Sequence, residues 1–86
     1  MDYESISDEL IELLTRQGVK IRKEAVGGGG GGFCTIKGQR TLFVDTEASW
    51  FDTAMMCAGV VETVIEDLES IYLRPAVWDF IDKYGR

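Results

Sequence analysis

Four carboxylates that could do chemistry cluster in the second half of the chain: Glu62, Glu66, Asp67 and Glu69. Glu62 and Glu66 are four residues apart, so in a helix they share one face. Such a pair could hold a divalent cation or act as a general acid. A solvated acidic face explains the pattern more simply, although acidic groups near a helix C-terminus oppose the helix dipole. A carboxylate enzyme therefore requires these groups to line a pocket.

The two cysteines, Cys34 and Cys57, could serve as nucleophiles or as a redox pair. Both fall in the middle of predicted elements, where cysteine usually packs as a small apolar residue. The chain has no histidine, which excludes Ser-His-Asp and Cys-His catalysis and any zinc site containing histidine. We therefore expect no catalytic residue, no metal and no cofactor, and we interpret the protein as non-enzymatic.

A run of six glycines, residues 27–32, is reminiscent of a phosphate-binding loop. That kind of loop continues into a Lys-Ser or Lys-Thr pair and a helix. Here the run continues into Phe33-Cys34-Thr35, which predicts a strand. The run is therefore interpreted as a flexible loop between two strands.

The formal net charge of −6 argues against nucleic-acid binding as the main function, because an acidic chain repels phosphate. The cations that gather around the predicted strands are read as solvated positions: Lys20, Arg22, Lys23, Lys37 and Arg40. The acidic start of the chain does not resemble a secretory signal, and no apolar run reaches the ~18 residues that span a membrane. We expect no membrane association and a cytoplasmic location.

Hydrophobic periodicity predicts a single α+β domain, residues 1–86, with the order α-β-β-β-α-α. The predicted architecture is a three-stranded antiparallel meander with the helices on one face. Ser5 or Ser7 is expected to cap the first helix, and Asp45 or Thr46 the second. The predicted elements are a helix ending at Gly18, strands 19–25, 33–37 and 40–44, and helices 48–68 and 75–84.

Only Gly38-Gln39 separates the second and third predicted strands, which favours a type II′ hairpin. This turn pairs Lys37 with Arg40 and, further along, Phe33 with Val44. One face of the hairpin then carries Cys34, Ile36 and Phe43, and the other carries Phe33, Leu42 and Val44. Since both faces of the hairpin are apolar, both are expected to be buried.

The long helix that follows has more apolar surface than one core requires. Its first apolar stripe is formed by Phe51, Ala54, Ala58, Val61, Ile65 and Leu68. Its second stripe holds Trp50, Cys57, Val60 and Val64, and Met55 and Met56 widen the apolar arc. This surplus indicates a binding surface.

The segment from Gly31 to Asp45, with its Gly-Gly-x-Cys-x-Ile-x-Gly pattern, resembles small bacterial proteins of unknown function. Residues 67–75 also resemble the last part of those proteins. The resemblance covers most of the chain and implies no activity. There is also a loose likeness to the helix–hairpin–helix part of small zinc metallopeptidase domains, whose long helix carries His-Glu-x-x-His. The corresponding Met55-Met56-Cys57-Ala58-Gly59 has no histidine, which implies that the catalytic metal site is absent.

The leading hypothesis is a non-enzymatic interaction or regulatory module that forms a homodimer. The expected interface is either Trp50, Cys57, Val60 and Val64, or Phe33, Leu42 and Val44. Two alternatives remain open. One is an adaptor subunit of a larger complex, and the other is a thiol- or carboxylate-dependent enzyme using Cys34, Glu62 or Glu66.

Overall fold

A computed structural model describes residues 2–29 and 31–86, which form three α-helices and one three-stranded sheet. The predicted α+β class is confirmed. In chain order the elements are α1 (Tyr3–Arg16), β1 (Lys20–Glu24), β2 (Gly32–Ile36), β3 (Gln39–Asp45), α2 (Trp50–Val64), a 3₁₀ turn (Leu68–Ser70) and α3 (Pro75–Phe80), which continues into a π-helical turn (Ile81–Gly85).

The sheet is mixed, so the predicted antiparallel meander is wrong. The strand order is β1-β3-β2, with β3 parallel to β1 and antiparallel to β2. β3 takes the centre because it is the strand with fully buried apolar residues, Leu42 and Val44. β1 is charged at every position except Ile21 and lies at an edge, where its side chains reach water.

The β2–β3 hairpin turns one residue earlier than predicted. Its central residues are Lys37 and Gly38, both with positive φ (51° and 81°), which is the requirement of a type I′ turn rather than type II′. Ile36 therefore pairs with Gln39, and Phe33 with Leu42. The register differs from the predicted one by two residues, so each side chain keeps its predicted face.

The helix caps are not the predicted ones. Asp2 caps α1, accepting a hydrogen bond from the Glu4 amide at 3.0 Å, which leaves Ser7 inside the helix and buried. Ser49 caps α2, accepting from the Asp52 amide at 3.1 Å. Asp45 instead accepts hydrogen bonds from the amides of Val26 and Glu47 and so ties the ends of β1 and β3 together. Because Ile65 is extended, α2 ends at Val64, four residues before the predicted end.

The helices cover the face of the sheet that carries Leu42 and Val44. An aromatic cluster, mostly edge-to-face, joins α1, α2 and the C-terminal segment through Tyr3, Phe51, Phe80 and Tyr84, and the centroids of its contacting rings lie 4.7–6.0 Å apart. The core beneath it is built from Ile6, Leu10, Leu13, Leu14, Val19, Leu42, Val44, Ala54, Cys57, Ala58, Val60, Val61, Ile65, Leu68, Val77, Phe80 and Ile81. No helix formed by residues 2–29 or 31–86 is both long enough and apolar enough to cross a bilayer.

Candidate functional site

The acidic cluster at the end of α2 is organised by an arginine from the same chain. The Arg86 guanidinium lies 2.6 Å from Glu69 and 3.0 Å from Asp82, and its Nε donates to Glu62. Glu66 lies beyond the end of α2 and is exposed, so Glu62 and Glu66 do not share a helix face. Within the described part of the chain, no three His, Cys, Asp or Glu side chains are close enough to hold a metal ion.

The two thiols lie in different environments. Cys57 is fully buried in the core, and this burial raises the pKa of its thiol to about 12, which keeps it protonated. Cys34 is exposed in the middle of β2, on the face of the sheet that points away from the helices. The structure therefore does not bring the cysteines together as a redox pair, and Cys34 is the accessible thiol.

The glycine run has a steric role at one position at least. A Cβ atom on Gly31 would lie 1.7 Å from the carbonyl oxygen of Phe43 and 3.3 Å from the Met56 sulfur. Gly32 already belongs to β2. Gly30 lies outside the described residues, and the flexibility expected of residues 27–32 stays a prediction.

The cations do not form one patch. Arg22 lies on the open face of the sheet, where its guanidinium sits 5.4 Å from the centre of the Phe43 ring. Arg40 lies on the helix side and donates to the carbonyl of Gln17 at the end of α1. Lys23 also lies on the helix side, opposite Val44, and Lys37 lies in the hairpin turn.

Most of the residues expected to form an interface belong to the core of the chain itself. Cys57, Val60, Leu42 and Val44 are buried in the described structure, and Phe33 and Val64 are partly buried against the same core. Trp50 alone among the seven is strongly exposed, at 49%. Of the seven, Trp50 therefore keeps a large accessible surface, and Phe33 and Val64 keep part of theirs.

The outer edge of β2 is the feature that stands out. β2 reads Gly-Phe-Cys-Thr-Ile and carries no charge, whereas the other edge strand reads Lys-Ile-Arg-Lys-Glu. Exposed edge strands usually carry charged residues that prevent pairing with another chain. In the described structure β2 pairs only with β3, so its outer side lacks both a neighbouring strand and this protection.

The backbone of β2 offers hydrogen-bonding groups along that edge. In an antiparallel pair, alternate residues exchange hydrogen bonds with the neighbouring strand, and the residues flanking a two-residue turn are one such pair. Ile36 and Cys34 therefore face β3 with their N–H and C=O groups. Those of Phe33 and Thr35 point to the open side, where a further strand could bond to them.

Apolar side chains flank this edge on both faces of the sheet. Ile36 is 41% exposed on the open face, next to Cys34. On the helix face, Phe33 packs against the core, and Met56 lies against Gly31 at the start of the strand. Met55, which directly precedes Met56 in α2, is 39% exposed beside the glycine loop. A strand added to β2 would find apolar surface above and below it.

Comparisons with family models, with curated proteins and with solved structures find no match to this chain. The sequence did not predict the β2 edge, because the expected meander places β2 in the centre of the sheet. The contrast in charge between the strand sequences 20–24 and 32–36 is the signal that could have identified it.

Proposed function

We propose that the protein is a non-enzymatic interaction module that forms a homodimer by pairing β2 with β2 of a second copy. The observation that carries this proposal is the uncharged, unpaired outer edge of β2. Antiparallel pairing about a twofold axis places the same strand on both sides of the interface, as the commonest symmetric dimers require. It turns two three-stranded sheets into one continuous sheet and covers both uncharged β2 edges, so that only the charged β1 strands remain at the edges.

The twofold axis of this dimer passes beside Cys34. β2 runs from Gly32 to Ile36, so pairing over its whole length puts Cys34 opposite Cys34 of the second copy. Phe33 then lies opposite Thr35 of the second copy. These two residues have outward-pointing backbone groups, and each N–H meets a C=O across the interface. In this register the outward-pointing N–H and C=O groups of β2 gain hydrogen-bond partners without any change in the fold.

Sedimentation velocity of the wild-type chain at micromolar concentration tests the proposal. The expected mass is twice the chain mass of 9.6 kDa, stable on dilution. Cys34→Lys places two ammonium groups beside each other at the axis, where like charges oppose pairing, and is expected to give a monomer. The side chain of Cys34 is exposed, so the fold of this variant is preserved, which amide NMR spectra would verify.

Thr63→Lys provides the matched control, because it adds the same charge at an exposed position on α2, away from β2. It is expected to remain dimeric. A clean wild-type monomer would contradict the homodimer and favour the adaptor alternative, in which the strand that pairs with β2 comes from a different protein. Dimers of Cys34→Lys as stable as those of the wild type would move the interface away from β2.

A further inference from the structure

A crevice opens at the carboxyl ends of the two parallel strands, on the helix side of the sheet. Its volume is about 290 Å³, and β1, β3, α1 and the first turns of α2 enclose it. Its walls are formed by Ile11, Lys23, Val44, Ala48, Trp50 and Thr53, together with Asp45 and Thr46. Crevices at the carboxyl ends of parallel strands, next to a helix N-terminus, are recurrent ligand sites in α/β proteins.

Thr53 gives the crevice a hydroxyl without a partner. The residue is only 4% exposed, yet its hydroxyl makes no hydrogen bond within the described structure. Thr15 and Thr63, by contrast, donate to the carbonyl four residues earlier in their helices. The Thr53 hydroxyl is not sealed in the core either, so its remaining access is to the crevice that it lines. A buried hydroxyl of this kind gains from a ligand that bonds to it.

Lys23 gives the same crevice a positive charge. It lies on the helix face of β1, opposite the buried Val44, rather than on the solvated face with Lys20 and Arg22. Within the described residues Lys23 forms no ion pair. Arg40, on the same face, is held by the Gln17 carbonyl. The Lys23 ammonium is therefore free to meet an anion in the crevice.

The remaining walls of the crevice determine the shape, polarity and charge of the ligand that fits it. The half-exposed Trp50 ring, with Ile11, Val44 and Ala48, offers a flat apolar surface. The Oδ1 atom of Asp45 accepts hydrogen bonds from the Val26 and Glu47 amides, and this carboxylate places a negative charge beside the crevice. A single ammonium next to that carboxylate suits a monoanion better than a phosphate dianion, which the net charge of −6 would also repel.

We propose that this crevice binds a small molecule with a flat apolar body and one carboxylate group. The carboxylate pairs with Lys23 and accepts a hydrogen bond from Thr53, and the body stacks on Trp50. The size of the crevice, at the lower end of the ~300–1,000 Å³ range of ligand sites, restricts the ligand to about the size of a single substituted ring. The crevice is separate from the β2 edge, so this proposal does not depend on the dimer.

Benzoate is the probe, and NMR titration of the ¹⁵N-labelled wild-type chain is the measurement. We expect saturable shifts of the Trp50 indole N–H and of the Lys23 and Thr53 amides, with a dissociation constant on the order of a millimolar. The indole resonance is assigned with Trp78→Phe. Benzamide has the same ring without the charge and is expected to bind about tenfold more weakly, since a charge-assisted bond is lost.

Two substitutions test the two polar contacts with the ligand separately. Lys23→Gln is expected to weaken benzoate binding about tenfold, and Thr53→Val, which keeps the shape but removes the hydroxyl, about fivefold. Lys20→Gln is the matched control: it removes a lysine from the other face of the same strand, and its affinity should equal that of the wild type. No saturable shift with benzoate, equal affinity in Lys23→Gln, or tighter binding of inorganic phosphate would each overturn the proposal.

Discussion

Lys37 occupies a left-handed backbone conformation, φ 51°, that residues other than glycine and asparagine rarely adopt. The turn needs positive φ at both central positions, and only Gly38 meets that need without strain. The predicted turn was centred on Gly38-Gln39 because a glycine at the first central position is a recognised hairpin signal, and nothing local in the sequence indicates that a lysine would accept the strain. The left-handed conformation of this one residue thus sets the register of the β2–β3 hairpin.

Lys37→Asn is expected to raise the free energy of unfolding by about 0.5–1 kcal/mol, because asparagine tolerates the left-handed conformation and Asn-Gly is a favoured type I′ pair. Urea unfolding measures the change. Gln39→Asn is the control, since it shortens the side chain whose Nε2 donates to the Gly18 carbonyl at 2.9 Å, and it should not stabilise the fold. The reverse ranking of the two variants would contradict the observed turn.

Ser7 is a second local departure, a fully buried hydroxyl on α1 without a hydrogen-bond partner within the described residues. An unpaired buried hydroxyl is unfavourable, so Ser7→Ala is expected to stabilise the fold by about 1 kcal/mol in thermal or urea unfolding. Ser5→Ala, which removes a hydroxyl that donates to Asp2, should give no gain. A loss of stability in Ser7→Ala would mean that the hydroxyl has a role in the core.

Glu69 has a lowered pKa, first because of a hydrogen bond from its own backbone amide and second because of Arg86. A lowered pKa contributes stability above the ordinary carboxyl range, and this contribution is lost as the pH falls. Arg86→Gln is therefore expected to raise the Glu69 pKa only in part, as followed by NMR titration. The stabilities of the variant and the wild type should converge in acid. Arg74→Gln, which breaks the pair with Glu9 instead, should leave the Glu69 pKa unchanged.

At the scale of elements, the sequence predicted where the helices and strands lie better than it predicted which strands pair with each other. Periodicity located α1, the three strands and α2 because each has a continuous apolar pattern. The pairing of β1 with β3 is a contact between residues about twenty positions apart, and no local pattern reports it. The end of α2 was also overextended, because the apolar stripe continues through Ile65 and Leu68 although Ile65 is extended.

The start of β2 depends on the close approach of two backbones at Gly31. Gly31→Ala would push a Cβ atom into the Phe43 carbonyl, so we expect a loss of about 2–3 kcal/mol in the free energy of unfolding. Gly32→Ala is the matched neighbour: nothing lies within 4 Å of its added Cβ, and its stability should stay close to that of the wild type. Equal effects of the two substitutions would contradict this packing.

At the scale of the whole molecule, the two edges of the sheet differ in character. β1 is protected by charge, whereas β2 presents an uncharged edge with Ile36 and Met55 exposed nearby. The sequence predicted a shared surface from a surplus of apolar residues, and that surface stays a prediction. It assigned the surplus to Cys57, Val60, Leu42 and Val44, which the fold itself buries. Which apolar residues a fold leaves exposed depends on its tertiary packing, which single elements do not reveal.

Cross-linking at Cys34 tests the β2 homodimer most directly. Paired strands place the two Cys34 Cα atoms about 4.5 Å apart, within the range that a disulfide spans. Diamide removes one hydrogen from each thiol as the bond forms, and Cys57, buried and protonated, stays unreacted. The β2 homodimer predicts rapid, complete conversion of the wild-type chain to a dimer with a single Cys34–Cys34 disulfide, identified by mass spectrometry, and no such dimer for Cys34→Ser. A chain that remains monomeric under the same oxidation would contradict it.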